Sequence, residues 1–395
     1  MKLTLQSKLS LYPLQIRQDK KHYIVEDNQS GEFFEMPKVC IDALEMIKDG
    51  KTIGEIEQSL RKVYPTEEVE LIPFAEQLID LGLVKEIDGQ KVGKEKKNQS
   101  PTGLQWIPVR LGQFFFNKIA SKLYLVFFLT NIFLLFSNPT LLPSYRDIFV
   151  FDSMMLNIVT YMTVSLVLIM IHEFGHILAI RAHGLPAKLD IGHRLFFVVF
   201  ETDLTPAWKL SPKQRNRLYF AGMSFEQIIL FFAFMITLVL TDSHLLIQGI
   251  IGIIIFDLFI KFIYQCCFYM KTDLYYVVEN VTGCYNLMES GKQMLRKWLP
   301  VRKSAPSTTE VLLDNETKIV RYYSVFYLCG IILMSGLFIF YFLPQALYAI
   351  SRSLNHLVTY PTSNPYFWDG IAFLTQMIVM LGLLGFAWVK NRANR

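Results

Sequence analysis

The sequence predicts a polytopic α-helical membrane protein of about six transmembrane helices, preceded by a small α+β winged-helix-like cytosolic domain. Three observations lead there. Hydrophobic residues make up 52% of the 395 and charged residues only 18%, with Phe alone contributing 32. A soluble chain of this length usually carries more charge. Long apolar windows recur in the second and later thirds of the chain, whereas the first hundred residues are polar and mixed. Basic residues also crowd into alternate loops, as they do in chains that cross a bilayer repeatedly.

Residues 1–90 read as the soluble domain. Tyr23-Ile24-Val25 and Glu32-Phe33-Phe34 flank the polar Asn28-Gln29-Ser30-Gly31, a β-hairpin pattern. Pro37 opens a helix with Val39, Ala43, Leu44 and Ile47 on one face, stopped at Gly50. Thr52 and Glu55 form a capping box for a second helix that turns Ile56, Leu60 and Val63 inward. A third runs over 67–81 and stops at Gly82, and 83–87 alternates as a last strand. The net charge of +5 does not fall as a basic stripe here. Glu55, Glu57, Glu67, Glu68 and Glu70 line the helices instead, which speaks against nucleic acid as a partner.

Residues 91–122 are a basic linker and interfacial segment, suited to the headgroups of the lipid bilayer. Spans are expected over 123–136, 155–180, 218–240, 245–270, 322–343 and 371–389, the first extending back toward Ile119. The membrane core covers 123–299, and 300–395 hold a cytosolic loop and two C-terminal spans. Arg181, Lys188, Lys213 and Arg217 lie between the second and third spans, and Lys292, Arg296, Lys318 and Arg321 between the fourth and fifth. The positive-inside rule then puts both termini in the cytosol of a multi-pass cell-membrane protein. Nothing near Met1 reads as a signal-peptide core, and the five cysteines form no spaced disulfide framework.

The chemistry sits in the second span. His172-Glu173-Phe174-Gly175-His176 interrupts a run otherwise almost free of charge. On a helix, positions four apart share a face, so both imidazoles can reach one metal ion and Glu173 can act as general base. Charged or polar groups at bilayer depth cost about 2–3 kcal/mol each and persist mostly where they have partners. His176 lies roughly 7 Å of helix rise before Arg181, so a site there opens toward the cytosolic side.

A catalytic zinc site takes three protein ligands and leaves one position open. Asp257 and Asp273 are the candidates in the fourth span and at its cytosolic end. Depth favours Asp273, and Lys261, four residues on from Asp257, offers that aspartate an ion pair. A glutamate ligand, Glu226 or Glu279, is the further alternative.

The core, over about 153–299, resembles the site-2 protease family of intramembrane zinc metallopeptidases, in its peptide-associated branch. The resemblance rests on His172-Glu173-Phe174-Gly175-His176, on Lys271-Thr272-Asp273-Leu274-Tyr275-Tyr276, on Gly283-Cys284-Tyr285-Asn286-Leu287, and on Arg217 followed by Ala221-Gly222-Met223. It implies one zinc per chain held by His172, His176 and Asp273, with Glu173 as the catalytic residue. Leu274 stands where the family has glycine, Met223 where it has proline, and Cys267-Phe268 where it has Asn-Pro. None of these departures removes a ligand or the base.

The first domain resembles the PqqD-like peptide-recognition domain of peptide-maturation enzymes, by element order. That resemblance implies a leader peptide adding as a strand to the hairpin edge. In the proteins that the core resembles, the segment 191–200, apolar and between spans, is a hairpin or re-entrant sheet that can pair with substrate, an interfacial loop with no substrate role being the equal alternative; His193 within it is not expected as a ligand.

The expected function is intramembrane cleavage of a membrane-associated or ribosomally made precursor peptide, as in bacteriocin maturation or export. Neighbouring peptide-maturation or ABC-export proteins are the expected partners. A non-proteolytic transport or immunity component on the same fold is the alternative.

Overall fold

The computed structural model describes residues 3–20, 22–65, 67–92, 103–194, 197–239, 245–298 and 314–393. Residues 93–102 of the basic linker, and residues 299–313 of the loop between the fourth and fifth expected spans, lie outside them. The described residues form two compact units, one of 1–103 with 204–215, the other of 104–203 with 216–395.

In the first unit, β1 (Leu9–Leu11), β2 (Leu14–Asp19), β3 (His22–Asp27) and β4 (Phe33–Met36) precede α1 (Lys38–Lys48), α2 (Ile53–Val63), α3 (Leu71–Asp80), β5 (Val84–Ile87) and β6 (Gln90–Lys91). The expected hairpin is β3–β4, with Val25 opposite Phe34. Its first strand is not an edge, however. β2 pairs along the other side of β3, so the antiparallel order is β2-β3-β4 and the outer strands are β2 and β4. The expected capping box is present, Glu55 N–H donating to Thr52 Oγ1 at 3.3 Å and Thr52 N–H to Glu55 at 2.8 Å. The third helix starts at Leu71, four residues later than expected. Pro73 is the reason: a helix from residue 67 would put its ring in the interior, whereas a start at Leu71 leaves it in the first turn. Leu44, Ile56, Leu60, Leu78 and Val25 meet in one core.

Segment 204–215 belongs to this unit, which the sequence reading did not anticipate. Arg17 donates to the carbonyls of Trp208 and Lys209, and Lys209 pairs with Glu26 at 2.7 Å. Arg215 is fully buried, pairs with Asp19, and lies 4.7 Å from the centre of the Trp208 ring.

The second unit is helical apart from one hairpin. Its elements are α4 (Val109–Phe115), α5 (Lys118–Ser137), α6 (Met154–Arg181), β7 (Leu189–Arg194), β8 (Phe197–Thr202), α7 (Pro212–Tyr219, which begins in the first unit), α8 (Ala221–Val239), α9 (Leu245–Gln265), α10 (Asp273–Thr282), α11 (Leu287–Trp298), α12 (Asp314–Leu337), α13 (Leu343–Thr359) and α14 (Pro365–Ala393). Among the described residues six helices are long and apolar enough to cross a membrane, as expected for a multi-pass protein.

Their bounds differ from expectation where polar groups intervene. The first span begins at Lys118 because Asn117 caps it, its Oδ1 accepting from Ile119 and Ala120 N–H at 2.8 Å. The third begins at Ala221, after α7 has ended at Tyr219. The fourth ends at Gln265, and residues 268–270 form a 3-10 turn. The stretch 344–370, expected as a loop, is largely helix: with a short π segment at Phe338–Phe342, one helical run covers Thr317–Thr359. Its 43 residues rise about 65 Å, more than twice the apolar thickness of a bilayer. α13 buries Gln345, Ala349, Ser353 and His356, a polar face at helical spacing that an apolar window does not detect.

The position of α6 is fixed at both ends. Its start is capped by Ser153 and by Asp369 of α14, whose carboxylate accepts from Met154 and Met155 N–H at 2.8 and 3.1 Å. At its end, Arg181 is buried, its guanidinium donating to the carbonyls of Ile107, Leu185 and Gln105. The basic residue that marks the end of the span is therefore a structural one.

Candidate metal centre

α6 brings His172, Glu173 and His176 to the level where it crosses α8. Two glycines allow that close crossing. A Cβ on Gly175 would stand 2.7 Å from the Ala221 carbonyl oxygen and 2.6 Å from the Phe225 ring. One on Gly222 would stand 2.4 Å from His172 Nε2. Either alanine would force the helices or the imidazole to move.

Asp273 arrives from the far end of α9. The Thr272 hydroxyl donates to the carbonyl of Gln265, the last residue of that helix, at 2.8 Å. Asp273 is then the first residue of α10. Gln265 holds it from two directions, its Nε2 donating to Asp273 Oδ2 and its Oε1 accepting from Asp273 N–H, both at 3.1 Å.

The three expected ligands meet. His172 Nε2 lies 3.0 Å from Asp273 Oδ2, His176 Nε2 lies 3.5 Å from the same oxygen, and the two Nε2 atoms are 3.2 Å apart. Ligands about 2.0–2.2 Å from a tetrahedral ion sit roughly 3.3–3.6 Å from one another, so these separations suit one shared ion. The hydrogen bonds point the same way. His176 Nδ1 faces the Leu218 carbonyl oxygen at 2.9 Å, which can only accept, so that nitrogen carries the proton. His172 Nδ1 faces Glu226 Oε1 at 3.0 Å, with the same consequence. Two neutral imidazoles held this way present Nε2 lone pairs to each other and to a carboxylate oxygen, an arrangement that a cation resolves.

Glu173 points elsewhere on the same turn. Its Oε2 accepts from Thr202 N–H and from Thr202 Oγ1, both at 2.8 Å, so the last residue of β8 fixes the carboxylate. The expected hairpin over 191–200 is the β7–β8 pair, with Ile191 opposite Phe200. Residues 195–196 at its turn lie outside the described residues.

Two of the three alternative ligands, Asp257 and Glu279, are engaged away from the cluster. Asp257 pairs with Lys261 at 2.6 Å, as its spacing predicts. Glu279 accepts from the Tyr275 hydroxyl and from Leu287 N–H, and burial pushes its carboxyl up to about 7 against both hydrogen bonds. Glu226 touches His172 on the ring edge opposite Nε2. Among the described residues, one group of three metal-ligating side chains has its ligand atoms within 4.8 Å of one another, and it is His172, His176 and Asp273. Sequence reasoning missed Gln265 and Thr202. The available signal was a polar residue ending an apolar helix, and a hydroxyl at the end of an apolar strand. Comparison of the chain with protein-family models, with curated proteins and with solved structures yields no match.

Proposed function

We propose that this protein is a membrane-embedded zinc metallopeptidase acting on a membrane-associated or ribosomally made precursor peptide. The observation that carries the reading is the convergence of two Nδ1-anchored imidazoles and Asp273 on one point, with a carboxylate next in sequence to the first histidine. A zinc ion held by His172, His176 and Asp273 would polarise a scissile carbonyl and lower the pKa of a water toward 7.

Glu173 takes the proton of the attacking water and passes it to the leaving amine. Thr202 holds that carboxylate through two hydrogen bonds to one oxygen and leaves Oε1 for proton transfer. Gln265 keeps Asp273 from swinging away. Because a helix buries its own amides, a substrate must be extended, and the β7–β8 hairpin, whose last residue grips Glu173, offers strands with which it can pair.

In this reading both termini are cytosolic. The N-terminal unit binds a leader peptide along the outer edge of β4, since Tyr23–Val25 is interior to its sheet. Peptide-maturation or export proteins are the partners the reading calls for. The reading is tested by incubating the purified chain with candidate precursor peptides and locating cleavage by mass spectrometry, with Glu173→Gln as control. Zinc-dependent cleavage abolished in that variant supports it. Full biological activity of Glu173→Gln in cells would replace it with a non-proteolytic transport or immunity role.

A further inference from the structure

The two imidazoles are backed by different chemistry. His176 leans on a neutral carbonyl, whereas His172 leans on a carboxylate from another helix. Glu226 is the one charged residue of α8 and only 5% exposed. A carboxylate buried in an apolar helix is strongly unfavourable without a partner, and His172 Nδ1 lies within ion-pair distance of it, at 3.0 Å.

Gly222 lies one helical turn before Glu226, so both face α6 together. At Gly222 the missing Cβ leaves room for the Nε2 edge of the His172 ring. At Glu226 the same helix grips the Nδ1 edge. One face of α8 therefore makes space for one side of the ring and holds the other.

We propose that Glu226 is a positioning residue for the metal centre. It fixes His172 as the Nδ1–H form, aims Nε2 at the point shared with His176 and Asp273, and adds a second negative charge that, with Asp273, balances a divalent ion in an apolar surrounding. Glu226 is not itself a ligand, because its oxygen meets the ring edge that faces away from the cluster. The inference rests on the metal reading above, but not on peptide cleavage. It adds a fourth residue to the centre and makes His172 and His176 unequal ligands, with His172 the more basic.

The test is metal affinity of the full chain in detergent, by competition with a chromophoric zinc chelator, for the wild type, Glu226→Gln and Glu226→Ala. Glu226→Gln keeps the volume and one hydrogen-bond acceptor, so it carries the test if the alanine variant does not fold. The expected order is wild type tightest, Gln weaker by roughly 10-fold, and Ala weaker by up to roughly 100-fold. With cobalt in place of zinc, the visible spectrum of Glu226→Gln should shift while its intensity stays that of a tetrahedral centre. Wild-type affinity and spectrum in both variants would overturn the proposal. A wild-type chain that takes up no divalent ion would overturn it together with the metal reading. A wild-type chain that binds zinc but cleaves no peptide would refute the peptidase reading alone, and the order of affinities would still decide the role of Glu226.

Discussion

Gln265 and Asp273 hold each other at two points, side chain to side chain and side chain to backbone, each at 3.1 Å. The amide that ends one helix thereby fixes the carboxylate that begins the next. Replacing Gln265 by Leu keeps the bulk and removes both bonds. Zinc affinity should fall roughly tenfold, as for other groups that orient a ligand. Asp257→Asn, on the same helix but paired with Lys261, should leave affinity unchanged. Isothermal or chelator titration of both variants checks the contrast.

Gly222→Ala tests the close approach of α8 to the imidazole. The new Cβ would fall 2.4 Å from His172 Nε2, and the ring cannot slide away while its other edge is held by Glu226. Metal content after purification should drop below half of the wild-type value while the far-UV spectrum stays helical. Alanine at Gly336, where a Cβ meets nothing within 4 Å, is the control.

In the first unit, Asp19 and Arg215 form a buried ion pair. Breaking one side of such a pair strands the other charge, a loss of about 3 kcal/mol. Asp19→Asn should speed amide exchange in β2 and β3, measured by mass spectrometry on the full chain. Asp19→Asn combined with Arg215→Met should recover most of the protection. Equal exchange in single and double variants would mean that the pair does not hold segment 204–215.

Glu279 supplies a pH dependence with a defined sign. Its folded pKa, raised by burial to about 7, lies above the usual carboxylate value, so the folded chain binds this proton more tightly than the unfolded one. The associated stability is fully present below about pH 4.5 and is lost as pH rises through 7, up to about 3 kcal/mol. Glu279→Gln should therefore raise thermal stability above pH 7 and flatten its dependence between pH 4.5 and 7. An unchanged slope would contradict the assignment.

Much of this architecture was legible in residue pattern. The motif on α6, the Thr52–Glu55 capping box and the Asp257–Lys261 pair follow from helical spacing alone, because each partner is three or four residues away. What escaped the sequence depends on contacts distant in the chain. β2 has a plain alternating signal in Leu14 and Ile16, yet its place beside β3 emerges only from pairing. α13 hid because its buried face is polar, and segment 204–215 because its docking runs through ion pairs to residues nearly two hundred positions away. Asp273 was favoured by depth over Asp257, but the role of Glu226 lay in which ring nitrogen it meets, and spacing carries no information on that.

The central claim is that His172, His176 and Asp273 hold one zinc ion for which Glu173 serves as base. The most direct measurement is zinc content and precursor-peptide cleavage for the wild type, Asp273→Ala and Glu173→Gln side by side. The account predicts about one zinc per chain and cleavage in the wild type, loss of both in Asp273→Ala, and full zinc without cleavage in Glu173→Gln. Full zinc in Asp273→Ala, or undiminished cleavage in Glu173→Gln, would contradict it.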